Sequence, residues 1–264
     1  MANIANVRRF DGIDDWLKFT PTDLIAPFGA ITMLAILKIN TDPADGAFQD
    51  ILTLTGGTGG QMGFLLENPG GAATTGLVGY FDPGAAVFGN PSFVNSTMGW
   101  VLVGLTKPAG DNQTGRAHLY RYDTLVWDHV SIGASDIDAG TTPTGSPSLR
   151  IGTWNESIEF LAADVAAVAF WNNDNLSDGE IEAMHGNIAA WDAQNPTGLW
   201  LLNQTAVTET VLDRTGAGDE IARSGTSVVT PTGLTFDDGS VAGLRFDYSQ
   251  FPKAVLRPTV RVRY

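Results

Sequence analysis

The chain has 264 residues, 43% hydrophobic and 17% charged, which excludes a disordered segment and provides for one large core. Its 15 basic residues against 29 acidic ones give a net charge of −14, which excludes a general nucleic-acid binder, because phosphate neutralisation needs clustered Lys and Arg. With no cysteine, disulfides, thiolate metal sites and Cys nucleophiles are excluded as well.

From the N-terminus, Met1–Arg9 lacks the apolar run of a signal peptide. No stretch reaches the roughly 18 apolar residues of a membrane helix. No membrane insertion is therefore expected, and a protein meant for the outside would leave its cell by lysis. Short apolar runs follow, each closed by Gly, Pro or Asp: Gly29–Ile39, Asp50–Leu54, Gly63–Glu67, Leu77–Phe81 and Trp100–Leu105. This punctuation predicts antiparallel strands. In Arg116–Tyr122 the alternation puts Ala117 and Leu119, with Arg121, on one face and His118, Tyr120 and Tyr122 on the other. Ser148–Gly152 and Asp164–Trp171 complete the run of strands.

One short helix is predicted near 177–191. Ser177 is its N-cap and Glu180 closes a capping box. Ile181, Met184, Ile188 and Trp191 recur at helical spacing and form the stripe that packs on a sheet. Pro196-Thr197-Gly198 marks a joint. Residues 1–195 are expected as the main domain, and 196–264 as a segment that either completes the sandwich or forms a small appendage. The chain ends on Val260–Tyr264, which alternates like a strand with one basic face. Lys253, Arg257, Arg261 and Arg263 make it either an edge strand kept soluble by charge or a strap that docks on an acidic partner.

In order and spacing these pieces resemble the concanavalin A-like/laminin-G-like jelly-roll family. Phe10-Asp11-Gly12-Ile13-Asp14-Asp15-Trp16-Leu17 is similar to that family's opening strand, and Ile31–Leu37 to its second. Trp100–Gly104 and His118–Tyr122 match its central pair. The most specific stretch runs from Leu149-Arg150-Ile151-Gly152 through Asp164–Asn172 to Leu176-Ser177-Asp178-Gly179-Glu180-Ile181. The likeness covers residues 5–195 and implies an all-β, two-sheet antiparallel sandwich. Gly198–Asn203 and Asp213–Gly218 resemble the continuation found in minor tail proteins of phages that infect actinobacteria.

The glucanases on this fold use a Glu-x-Asp-x-x-Glu strand, which aligns nucleophile and acid/base on one face. No such spacing occurs: Glu156 and Glu159 are wrongly spaced, and Glu180 is taken by the helix cap. His118, His129 and His185 have no metal-ligand spacing and are read as structural. Gly56–Gly60 lacks the Lys of a phosphate-binding loop. Sugars are held by stacking on Trp or Tyr while acids and amides take the hydroxyls. Trp154, Asn155 and Glu156, with Trp171, Asn172 and Asn173, are therefore the candidate glycan contacts, against the alternative that both Trp residues plug the core. Asp136, Asp138 and Asp174 are the candidate calcium ligands; no other cofactor is expected.

The reading is a non-enzymatic structural protein of a bacteriophage virion, of the tail rather than the capsid, whose lectin-like domain attaches to host-surface glycan. Its partners would be other virion proteins and that glycan, and a homo-oligomer is left open. The alternative is a purely architectural capsid or tail component joined through its basic C-terminal strand. A third reading is a glycoside hydrolase that uses Glu159.

Overall fold

Alternating apolar side chains with Gly, Pro and Asp between the runs produce strands along much of the described chain. A computed structural model describes residues 4–19, 29–58, 62–68, 75–81, 86–110, 113–135, 144–172, 174–216 and 219–239. In chain order the strands are β1 (Val7–Asp11), β2 (Trp16–Phe19), β3 (Ile31–Ile39), β4 (Phe48–Thr58), β5 (Met62–Glu67), β6 (Thr75–Phe81), β7 (Ala86–Val94) and β8 (Val101–Lys107). They continue with β9 (Gln113–Arg121), β10 (Val126–Ser135), β11 (Thr144–Ile151) and β12 (Ala162–Asn172). After two short helices, α1 (Asp178–Met184) and α2 (Ile188–Ala193), come β13 (Gly198–Leu201), β14 (Glu220–Ser224) and β15 (Ser227–Val229).

The strands form two antiparallel sheets stacked as a jelly-roll-like sandwich. The larger runs β10-β9-β8-β3-β12-β1-β15, with β13 also paired to β12; the smaller runs β14-β2-β11-β4-β5-β6-β7. The segment read as one opening strand, Phe10–Leu17, is instead two. Gly12 at φ +82° turns the chain, β1 joins the larger sheet, and β2 crosses to the smaller. The joint at Pro196 does not end the sandwich: β13 and β15 enter one sheet and β14 the other.

Two cores result. The first lies between the sheets and takes Phe10, Leu17, Phe64, Val103, Leu119, Ile151 and Trp200. The second lies on the outer face of the larger sheet, where Leu34, Leu102, Tyr120 and Trp171 meet the helical stripe of Ile181, Met184, Ile188 and Trp191. As expected from the alternation in β9, Ala117 and Leu119 face inward while Tyr120 and Tyr122 face the helices. Central strands of the larger sheet are thus apolar on both faces.

The capping box forms as expected, with Ser177 N–H donating to Glu180 Oε2 at 2.8 Å. The expected single helix is broken in two, however. Asn187 leaves helical geometry at φ −162°, bridges to Asp237, and caps α2 by accepting from Ala190 N–H at 2.9 Å. The apolar stripe survives the break because both short helices rest on the same sheet face.

Candidate functional site

Where the outer face of the larger sheet is apolar and covered by helices, that of the smaller sheet is polar at its centre. Period-two alternation sends Leu17, Leu149, Ile151, Leu52 and Leu54 inward, which leaves Lys18, Arg150, Thr53 and Thr55 on the opposite face. The segment from 152 to 161 folds back over these residues. It turns at Gly152, whose φ of +95° and 2.6 Å approach of an imagined Cβ to the Phe10 ring admit no side chain.

Hydrogen bonds fix this loop to the sheet. Thr53 Oγ1 donates to Thr153 O at 2.8 Å, and Thr55 Oγ1 donates to Trp154 O at 3.0 Å. Arg150 Nε and Lys18 Nζ both donate to Glu156 Oε1 at 2.8 Å, and Arg150 Nη1 reaches Thr55 Oγ1 at 2.7 Å. Burial would raise Glu156, but the bonds from Lys18 and Arg150 outweigh it and hold the carboxyl below the usual range. Glu156 and Glu159 occupy left-handed backbone at φ +71° and +61°, strain that the surrounding bonds sustain. Trp154 is half-buried and Asn155 is exposed, with Asn155 Oδ1 accepting from Ser157 N–H at 3.2 Å and Ser157 Oγ at 2.6 Å. An aromatic ring and an amide are thereby presented on a loop that is already ordered.

Carboxyl groups gather at the adjoining end of the sandwich. Asp11, Asp14 and Asp15 bring an oxygen each within 4.8 Å of one another. Asp15 accepts from Asp11 N–H at 2.7 Å, and burial pushes it up to about 6. Gly225, at φ +66°, lies so close to this carboxylate that any side chain would collide with it. Asp50 is fully enclosed; burial, and then Glu159 beside it, raise it well above the usual carboxylate range. Its enclosure keeps it from touching a polymeric substrate.

Among the sequence-derived candidates, Trp154, Asn155 and Glu156 are neighbours on this loop. Glu156, however, anchors the loop through Lys18 and Arg150. Trp171 belongs elsewhere. It is 1% exposed in the helix-covered core, its indole N–H donates to Gln194 O at 2.9 Å, and it has no face open to a sugar. Asn172 is half-buried, its backbone N–H bonded to Thr197 Oγ1 at 2.8 Å. Asp174 is exposed, and its backbone oxygen accepts from Thr32 Oγ1 at 3.0 Å. Asn173, Asp136, Asp138, Lys253, Arg257, Arg261 and Arg263 lie outside the described residues.

Sequence spacing missed one grouping altogether. The β9–β10 hairpin sets His118 directly opposite His129 and Tyr120 opposite Trp127, and α1 lays Asp178 beside the two histidines. Burial, and then His129, push His118 down to about 3, so its ring is neutral at physiological pH. Folding the sequence about Asp123-Thr124 reveals both pairs, and Val126–Ser135 is a strand beyond those expected from the apolar runs.

No family model matches the chain, and no curated protein matches it. Solved structures do. A candidate carbohydrate-binding protein from Bacteroides ovatus aligns with a TM-score of 0.56 and 15% identity over 87% of this chain. The chain spans 61% of that protein's length. A heptameric pentraxin from Limulus polyphemus aligns at 0.49 with 12% identity, covering 89% of this chain and 99% of its own. The LG1–3 region of the laminin α2 chain aligns at 0.45 with 10% identity, over 64% of this chain and 31% of its own. The chain thus shares the jelly-roll-like sandwich fold of the Bacteroides ovatus protein. At such identities the likeness speaks to fold, not to activity.

Proposed function

We propose that this chain is a carbohydrate-binding jelly-roll domain of a bacteriophage tail, a non-enzymatic structural component that meets host-surface glycan through the 152–161 loop. The observation that carries this reading is the loop itself: half-buried Trp154 sits beside exposed Asn155 on a segment tied down through Thr53, Thr55, Arg150 and Lys18. Ordering before binding lowers the entropy lost on association, and an aromatic face beside an amide suits a pyranose ring and its hydroxyls. Asp11 and Asp14 at the same end add acceptors. The fold shared with the Bacteroides ovatus protein supports the substrate class, and the resemblance of the C-terminal segment to phage minor tail proteins supports the setting.

The test is equilibrium binding of the purified chain to wall polysaccharide from actinobacterial hosts. Saturable binding is expected, weakened about tenfold or more by Trp154→Ala with the melting temperature little changed. Absence of binding at about tens of micromolar protein would remove the glycan reading. The purely architectural role would then remain.

A further inference from the structure

We propose that His118, His129 and Asp178 form a binding site for a divalent transition-metal ion of the zinc class on the outer face of the larger sheet. The two imidazole Nδ1 atoms stand 2.8 Å apart, and Asp178 Oδ1 lies 3.7 Å from one and 3.8 Å from the other. A tetrahedral ion with bonds of about 2.0–2.2 Å holds its ligand atoms about 3.4 Å from one another. The three observed separations bracket that value, so sub-ångström movements would seat the ion. Two imidazoles and one carboxylate are a donor set for zinc and its first-row neighbours, not for calcium, which wants six to eight oxygens.

The surroundings orient these donors as a metal site requires. A ligating histidine needs its other ring N–H held by an acceptor. His129 Nε2 lies 3.0 Å from Glu182 Oε1, and His118 Nε2 lies 2.9 Å from Thr106 Oγ1. With protons on both Nε2 atoms, both Nδ1 lone pairs are available to an ion. Arg116 Nη2 donates to Asp178 Oδ2 at 2.7 Å, which leaves Oδ1 as the oxygen nearest the rings. Trp127 stacks on His129 with centroids 5.3 Å apart and planes 8° from parallel, fixing that ring's tilt. His118 is fully buried while the Asp178 side chain is 38% exposed, so the ion would enter past Asp178. Asp178 and Glu182 offset the charge of Arg116. Three protein ligands leave a coordination position for water or an exogenous oxygen.

The same atoms also satisfy one another without metal, through an Nδ1–H···Nδ1 bond between the rings, so titration must decide. Tag-free, chelator-treated full chain would be titrated with zinc by calorimetry and with cobalt(II) by visible absorption. One equivalent of zinc is expected to bind, and cobalt should give the intense visible bands of low-symmetry four- or five-coordination. His129→Gln and Asp178→Asn, both at partly buried sites, should each abolish the stoichiometric event. Glu182→Gln should weaken it about tenfold, and His185→Gln should leave it intact. Failure of the wild-type chain to bind zinc, or a cobalt spectrum of the aqueous ion only, would overturn the site without reference to any variant. Binding that persists in both His129→Gln and Asp178→Asn would also overturn it.

Discussion

Asp15 shows how a single position carries both fold and pH response. Its carboxylate is walled in by Gly225 and accepts from Asp11 N–H, and burial lifts it to about 6 from an ordinary 3.8. Between those two values the folded chain holds a proton that the unfolded chain has released, so Asp15's contribution to stability falls as pH rises through that window. Asp15→Asn should remove this dependence. Thermal melts should show the variant about 1 kcal/mol more stable than the parent at pH 7.5, with the advantage gone at pH 4. Equal stabilities at both pH values would contradict the assignment. Residue identity alone could not separate Trp154 from Trp171, since each sits near a strand end and is followed by Asn. A register shift between Val165 and Ala167 decides it. The inward set changes from Ala163 and Val165 to Val168 and Phe170, which turns Trp171 to the helices. Nothing in a list of apolar residues marks such a bulge.

At the level of elements, the apolar runs and the capping box were legible because each is set by a few consecutive residues. What escaped depends on partners distant in sequence. The β1–β2 crossing needs two sheets to be visible, and the break before α2 needs Asp237, far along the chain from Asn187, whose N–H donates to Gly186 O at 3.0 Å and whose carbonyl accepts from Ile188 N–H at 2.8 Å. β10 and the histidine pair it completes depend on a hairpin turn at Asp123-Thr124, which no Gly or Pro marks. The last described strands are integral to both cores. β13 supplies Trp200 to the inner core and Leu199 and Leu201 to the outer one. Arg8, fully buried on β1, donates to Ala206 O at 3.2 Å and Glu209 O at 2.9 Å. A chain ending at residue 195 would lose these core groups and the partners of Arg8, and the buried side chains alone would cost about 3 kcal/mol or more each against a total stability of about 5–15 kcal/mol. Residues 1–195 alone should therefore show no cooperative thermal transition. A sharp melt close to that of the full chain would contradict this account.

Across the whole molecule, the two outer faces have different tasks. Helices, aromatic side chains and the β13 region close the face of the larger sheet, and the proposed metal site sits at the edge of that cover, between β9, β10 and α1. On the smaller sheet, a loop fixed by threonines and cations carries Trp154 and Asn155 at the surface. The chain is acidic overall, and three carboxylates, of Asp11, Asp14 and Asp15, gather at one end. The fold could be read in outline from the sequence. Which candidate tryptophan lies in the core could not, because stacking surfaces and core plugs share the same residue types. The most direct test is imaging of a virion that contains this chain, at a resolution that traces its strands. The sandwich is expected on the tail exterior with the 152–161 loop and Trp154 facing solvent. The same loop packed against neighbouring subunits would contradict it, since no host glycan could then reach it.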